Sequence, residues 1–503
     1  MHMRKARAAA TNTKSPSPSS QTVWSSLGPA PLASDASGEG IQNYNWVSGR
    51  ATAVAVDPAD TTGNTVYVGG AYGGLWKSTN AGPASSDPAN VSWAPLIDNQ
   101  ATLAVGAVAV QAQSESPSLI LVGTGETNNS TDSYYGLGIL RSADGGSTWN
   151  LIPTDVTGAR SFAGLGFSQI AFSASNPSLV VAAVGGTTQG IYDGRANPPT
   201  TNLRLYYSTD SGNDWNFAII TDGTAPTSPD SATSVVFNSA ANMFFAALPY
   251  HGFYSSADGI HWTRLANQPG SVLTTSACPA QETSPSACPI YRGALTVVPG
   301  RNETYAWYVD ASNNDQGIWQ SLNSGLTWTN INETGIVNCG DEVGCGTDDG
   351  SYNLTLTAVP DGQATDLYAG AVNLYKCTVS SVFPTCNGTG SASFLNLTHV
   401  YGCPPYLGSI AHVHPAQHAA AFMLINGNEQ AVMYFANDGG IYRALDAYTD
   451  LTTGSCNQTN QFDSLNQTLG SMTQLASLSQ ASNDPNVILA GAQGNGSPAS
   501  ESV

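Results

Sequence analysis

The sequence predicts an all-β chain built from repeated four-stranded modules, and three observations predict it. The phrase Ser142-Ala-Asp144-Gly-Gly146-Ser-Thr-Trp149 returns as Ser208-Thr-Asp210-Ser-Gly212-Asn-Asp-Trp215 and as Ser321-Leu-Asn323-Ser-Gly325-Leu-Thr-Trp328. A shortened copy runs from Ser256 through Asp258 to Trp262, and a stretched one from Ser78 through Asn80 and Gly82 to Trp93. Each copy follows an apolar-aromatic step such as Leu75-Trp76 or Leu205-Tyr206, and the step persists at Leu374-Tyr375 and Ile441-Tyr442 after the phrase has decayed. Composition is the third observation: 52 Gly, 28 Pro and only 10% charged residues suit short strands and tight turns. A fixed unit that keeps returning means stacked supersecondary modules.

The letters of the phrase have a physical reading. A short strand that reverses into the next needs one residue to accept backbone N–H groups and another that tolerates positive φ. Asp or Asn supplies the first and Gly the second. The Trp opens the outgoing strand and is expected to bury its ring between neighbouring sheets. Asp144, Asp210, Asp258 and Asn323, with Trp149, Trp215, Trp262 and Trp328, are therefore read as structural, since an Asp tied to its own turn is a poor catalytic acid.

The units follow in order. Residues 50–56 alternate into an inner strand, an Asp-Pro turn leads to 65–69, and 74–78 precede the turn phrase and a closing strand from Trp93. The same order recurs at about 102–154, 162–220, 231–267, 290–332, 351–400 and 409–466. Seven units are complete and an eighth begins at Met472, with Asn486–Ala490 as its second strand. Thr22–Leu27 reads as a lone closing strand, so the chain ends are expected to share an eighth blade of a β-propeller, unless the chain is the front of a longer protein. Residues 1–20 read as a disordered Ser/Pro-rich segment and 21–503 as the propeller.

The eight cysteines fall between Cys278 and Cys456 with no zinc-type spacing. Cys278/Cys288, Cys339/Cys345 and Cys377/Cys386 are close enough to close small loops, leaving Cys403 and Cys456, whose pairing the sorting of loops to opposite faces makes doubtful. Disulfides imply an oxidising compartment and hence export. Met1–Ser20 has a basic start without an apolar core, so it is not a signal peptide as written. No apolar run is long enough to span a membrane. The formal net charge of −20 and the lack of a basic stripe exclude nucleic acid as a partner.

On these turns the chain resembles the BNR/Asp-box repeat proteins, the group that includes sialidases, sortilin-type ectodomains and xyloglucanase-type glycoside hydrolases. The resemblance covers nearly everything after residue 22. Val122–Asn129, His414–Ala419 and Asn437–Tyr442 also resemble exported bacterial repeat proteins of undefined activity. The resemblance implies a propeller, but the enzyme motifs are not intact. The early Arg-Ile-Pro phrase of sialidases is absent, with only Arg50 in a comparable place. The two carboxylate positions of the xyloglucanase type fall on Ala71 and Asn437, and a shift of one residue restores Asp438 alone.

Loops joining second to third strands, and fourth to next-first strands, share one face opposite the turns. That face collects the candidate site. Glu126 is the leading carboxylate, with Asp132 and Asp438 as further catalytic candidates, although a carboxylate that tethers its own loop is the favoured reading of Glu126. Tyr134, Tyr135, Asp193, Arg195, His412, His414 and His418 are the ligand-binding candidates. Metal binding by the histidines with Asp438 is weighed below hydrogen-bonded histidines at the channel mouth. The Asp341–Asp349 loop lacks calcium-loop spacing, so calcium is the single cofactor considered and no cofactor is expected. The sequence thus favours an exported, monomeric recognition module for glycan or protein. A glycoside hydrolase using loop carboxylates is the alternative, and a scaffold fragment of a longer protein the second.

Overall fold

The computed structural model describes residues 28, 31–34, 43–194, 199–337, 346–380, 386, 393–401, 413–425, 430–444 and 462–500, apart from single positions 86, 115, 229, 471 and 485. The expected N-terminal closing strand, Arg195, His412, Cys339, Cys345, Cys403 and Cys456 lie outside them, as does the segment 1–20.

Seven four-stranded antiparallel sheets radiate from a central channel. Their inner strands are Ala51–Val56, Val105–Gln111, Leu165–Phe172, Ser234–Asn238, Arg292–Val297, Thr355–Asp361 and Gln417–Ile425, which begin blades 1 to 7 in chain order. Each inner strand packs on the next, and that of blade 7 packs directly on that of blade 1. The ring therefore closes with seven blades. The segment expected to start an eighth forms a separate three-stranded sheet, Leu475–Gln480, Ile488–Ala492 and Ala499–Ser500, outside the ring. Blade 4 carries an addition: Ile219–Asp222 pairs in parallel with its outer strand, His261–Arg264. Among the described residues, α-helix is confined to single turns at Thr188–Tyr192 and Thr334–Val337.

Burial explains the count. One apolar cluster fills each gap between adjacent blades. Between blades 7 and 1 it joins Val432, Tyr434, Ala436 and Ile441 to Ala51, Val66 and Val68. With that gap filled, no sheet can be inserted there. Hydroxyls stitch the inner strands together: Thr52 Oγ1 donates to Val105 O (2.6 Å), Ser168 Oγ to Ala232 O (2.6 Å) and Thr233 Oγ1 to Gly293 O (3.0 Å).

The turns behave as their residue types require. Asp144 Oδ1 accepts the Ser142 hydroxyl (2.7 Å) and the Thr148 N–H (2.8 Å), while Gly146 sits at φ 98°. Trp215 and Trp262 are fully buried. Trp149 and Trp328 are only half-buried, contrary to expectation. The residue before the turn Ser often grips the next blade. Lys77 Nζ donates to Gly145 O (3.1 Å) and Arg141 Nε to Ser211 O (2.9 Å). Arg443 does so across the closure, from blade 7 to Ala81 O (2.8 Å), Gly82 O (2.7 Å) and Ser85 O (2.8 Å) of blade 1, while also pairing with Asp463 (2.7 Å). Two of the expected disulfides are present, Cys278–Cys288 and Cys377–Cys386.

Replacing Arg443 by Met leaves three carbonyls and Asp463 without their donor, which is expected to destabilise the fold by about 3–5 kcal/mol. Denaturant unfolding of Arg443→Met checks this, with the more exposed Arg301→Met as a comparison expected to lose clearly less.

Candidate functional site

The predicted polar face exists, and its centre is a hydrogen-bonded chain across the channel mouth. Arg50 enters blade 1, Glu126 and Asp132 stand in the loop after the second strand of blade 2, and Arg292 begins blade 5. Tyr352 precedes the inner strand of blade 6, while His418 and Asp438 come from blade 7. Gly125 lets this happen: at φ 79°, a Cβ there would lie 2.2 Å from Gly136 N, so only glycine turns the strand into the Glu126 loop.

Arg50 is the hub and is 2% exposed. Its Nη2 donates to Glu126 Oε1 (3.1 Å) and to Asp132 O (3.1 Å). Its Nη1 donates to Tyr352 OH (2.9 Å) and to Asp132 Oδ1 (3.3 Å). Burial alone would lower the Arg50 pKa, but Glu126, Tyr352, Asp438 and Asp132 raise it above the ordinary arginine value. Tyr352 OH in turn donates to Asp438 Oδ1 (2.7 Å).

The other arm begins at Arg292, whose Nη1 donates to Asn128 Oδ1 (2.9 Å). Since arginine can only donate, that oxygen is the acceptor, and Asn128 Nδ2 must donate to His418 Nδ1 (3.3 Å). The ring proton of a neutral His418 therefore sits on Nε2 and is given to Asp438 Oδ1 (2.7 Å). Burial would raise the Asp438 pKa, but the His418 hydrogen bond and the Arg50 charge hold it below the usual carboxylate range.

Glu126 is 1% exposed and its Oε2 accepts the Asn128 N–H (3.0 Å), so it does tether its own loop, with an ion pair added. Asp132 keeps one buried oxygen, Oδ2, without a partner. The Tyr134 ring lies 4.5 Å from that of the half-exposed Tyr72, and Tyr135 opens the strand Tyr135–Ser142. Asp193 is exposed at the end of the Thr188–Tyr192 turn. His414 is buried, with Nε2 3.1 Å from Gly494 O of the tail sheet and a pKa lowered by burial. Asn495 Nδ2 donates to Asp438 O (3.0 Å), so the tail also touches this mouth. Ala71 is buried, and Asn437 is buried against the Gly439 N–H (3.0 Å), which leaves Asp438 as the carboxylate at the face. Among the described residues, no group of three or more His, Cys, Asp or Glu side chains is arranged to hold a metal ion. Asp348 and Asp349 are exposed.

Two participants escaped sequence reasoning. Arg292 and Tyr352 occupy ordinary strand-entry positions, and their only signal was the shared place in the repeat. Apart from the mouth, Asp315 and Glu333 stand on the same face of blade 5. Burial raises both carboxyl pKa values, and Asp315 adds to the rise at Glu333.

No protein-family model matches the sequence. No curated protein matches it at a significant level either. Solved structures do match. One described as an ancestral GH74 enzyme has a TM-score of 0.56 at 18% identity, over 96% of this chain and 55% of that one. The chain thus spans little more than half of that enzyme's length. YCF48 from Cyanidioschyzon merolae matches at TM-score 0.42 and 12% identity, over 80% of this chain and 97% of that one. The computationally designed Ika8 protein matches at 0.40 and 13%, over 90% and 96%. At these identities the likeness to the enzyme shows the fold alone.

Folding depresses several carboxylates: Asp144 and Asp258 to about 2, and Asp438 in the same direction. Such groups lend stability that is complete above their unfolded value of about 4 and vanishes as pH falls through the folded one. Thermal unfolding should therefore lose midpoint steeply between about pH 4 and pH 2. Asp144→Asn with Asp258→Asn, which imitate Asn323, should flatten that loss.

Proposed function

We propose that the polar face recognises glycan, and that the protein acts as an exported recognition module. The observation that carries this reading is the Tyr72–Tyr134 pair, which stands beside a mouth dense in fixed donors and acceptors. An exposed tyrosine face offers a sugar's C–H surface an apolar platform, and the surrounding polar groups offer its hydroxyls hydrogen bonds. The carboxylates at the mouth fit binding better than bond cleavage. Glu126 and Asp132 are ion-paired with Arg50, and Asp438 is held as an anion, whereas a glycosidase needs one carboxyl kept protonated. Two disulfides, and the absence among the described residues of any helix long and apolar enough to cross a membrane, are compatible with the exported location.

A second reading, hydrolysis, is favoured by one observation away from the mouth. The Asp315–Glu333 pair has the raised carboxyl pKa values that an acid catalyst requires.

Binding to a glycan panel, followed by calorimetry on the best ligand, tests recognition. Tyr72→Ala is expected to weaken binding by about tenfold without altering the fold. Unchanged affinity would reject the platform. Reducing-end release from the same panel tests hydrolysis: release abolished by Glu333→Gln but retained in Glu126→Gln would replace recognition with catalysis at blade 5.

A further inference from the structure

A second concavity opens on the polar face between blades 3, 4 and 5. It encloses about 290 Å³ and is lined by Ile191, Asp230, Ser231, Tyr250, Tyr291 and Arg292, among others. That volume sits at the small end of the usual range for ligand pockets, of about 300–1,000 Å³, and so suits a single ring. Three features distinguish it from a packing gap.

The first is a cation without a carboxylate. Arg292 Nη1 is bonded to Asn128 Oδ1, Ser351 O and Tyr352 O (2.9, 3.0 and 2.9 Å). Among the described residues its Nε and Nη2 have no hydrogen-bond partner, and the residue lines the cleft. Among the described residues no acid stands within ion-pair distance of it, and burial lowers its pKa to about 10. The second is an oriented anion. Asp230 Oδ2 is fixed by His251 Nε2 (3.0 Å), while the rest of this carboxylate lines the cleft. His251 is fully buried and, among the described residues, its Nδ1 has no partner. The third is a held aromatic. Tyr250 sits at φ 63°, a conformation that bulky residues avoid, and its N–H donates to Ile290 O (2.8 Å). Its ring meets that of Tyr291 edge-on at 6.0 Å.

From this geometry we infer that the cleft is a subsite for a carboxylated sugar. The uronate group pairs with the free edge of Arg292, ring hydroxyls donate to Asp230, and the tyrosines flank the ring. The chain's net charge of −20 repels polyanions, so the fit is to a uronate residue within an otherwise neutral glycan. This inference rests on the glycan-recognition reading and names the ligand class for one part of the same face.

Calorimetry with an aldobiouronate (glucuronate linked to a neutral sugar) and with its carboxyl-reduced form tests it on the unaltered protein. The reduced form is expected to bind about tenfold more weakly, the loss of one charge-assisted contact. Asp230→Asn and Tyr291→Ala should each weaken the aldobiouronate. Equal binding of both forms, or binding insensitive to Asp230 and Tyr291, overturns the subsite. If neutral glycans then still bind in a Tyr72-dependent way, the recognition reading survives alone. Failure of every glycan, neutral or acidic, overturns both.

Discussion

Closure of the ring through Arg443 is the constraint on which the remaining structure depends. A propeller has no central core. Its stability is divided among gaps between sheets, and the last gap joins residues nearly the whole chain apart. The apolar cluster of Tyr434, Ile441 and Val68 fills that gap, but apolar contact is tolerant of sliding. Arg443 is not tolerant. A fully buried guanidinium that serves three carbonyls of blade 1 and Asp463 of its own blade fixes both the spacing and the register of the join. Tyr434 OH adds a bond to Gly63 O (2.9 Å) of blade 1.

The channel mouth inherits its geometry from that join. Arg50 belongs to the first blade and Asp438 to the last, and Tyr352 couples them through two short hydrogen bonds. Neither residue meets the other without closure. Once they meet, directionality propagates: the donor-only Arg292 orients Asn128, Asn128 sets the His418 tautomer, and His418 gives its proton to Asp438. A network with this directionality specifies one arrangement of five blades around the mouth. It also leaves Glu126 and Asp132 paired with Arg50, and Asp438 hydrogen-bonded by Tyr352 and His418.

The two concavities of this face share one structural element. Arg292 uses one nitrogen to hold the mouth and also lines the cleft between blades 3, 4 and 5. The mouth and the cleft are therefore joined through the same guanidinium.

The sequence by itself determined the modules. Ser142, Asp144 and Gly146 bond within one turn, so a run of eight letters contains everything needed to read it, and seven such units, the strand order and two disulfides follow from local spacing. Glu126 as a loop tether was legible for the same reason, since its Asn128 partner is two residues away. Tertiary structure alone decided what lies between modules. That seven blades close without the eighth depends on whether blade 7 reaches blade 1, a contact no local pattern encodes. The pairing of Glu126 with Arg50, the entry of Tyr352 and Arg292 into the mouth, and the pairing of Asp230 with His251 join residues that are from 21 to 302 positions apart. Repeats make such residues look alike in sequence, because every blade offers a strand entry and a loop at the same place. Only the ring, by bringing seven of these places around one axis, distinguishes the ones that meet.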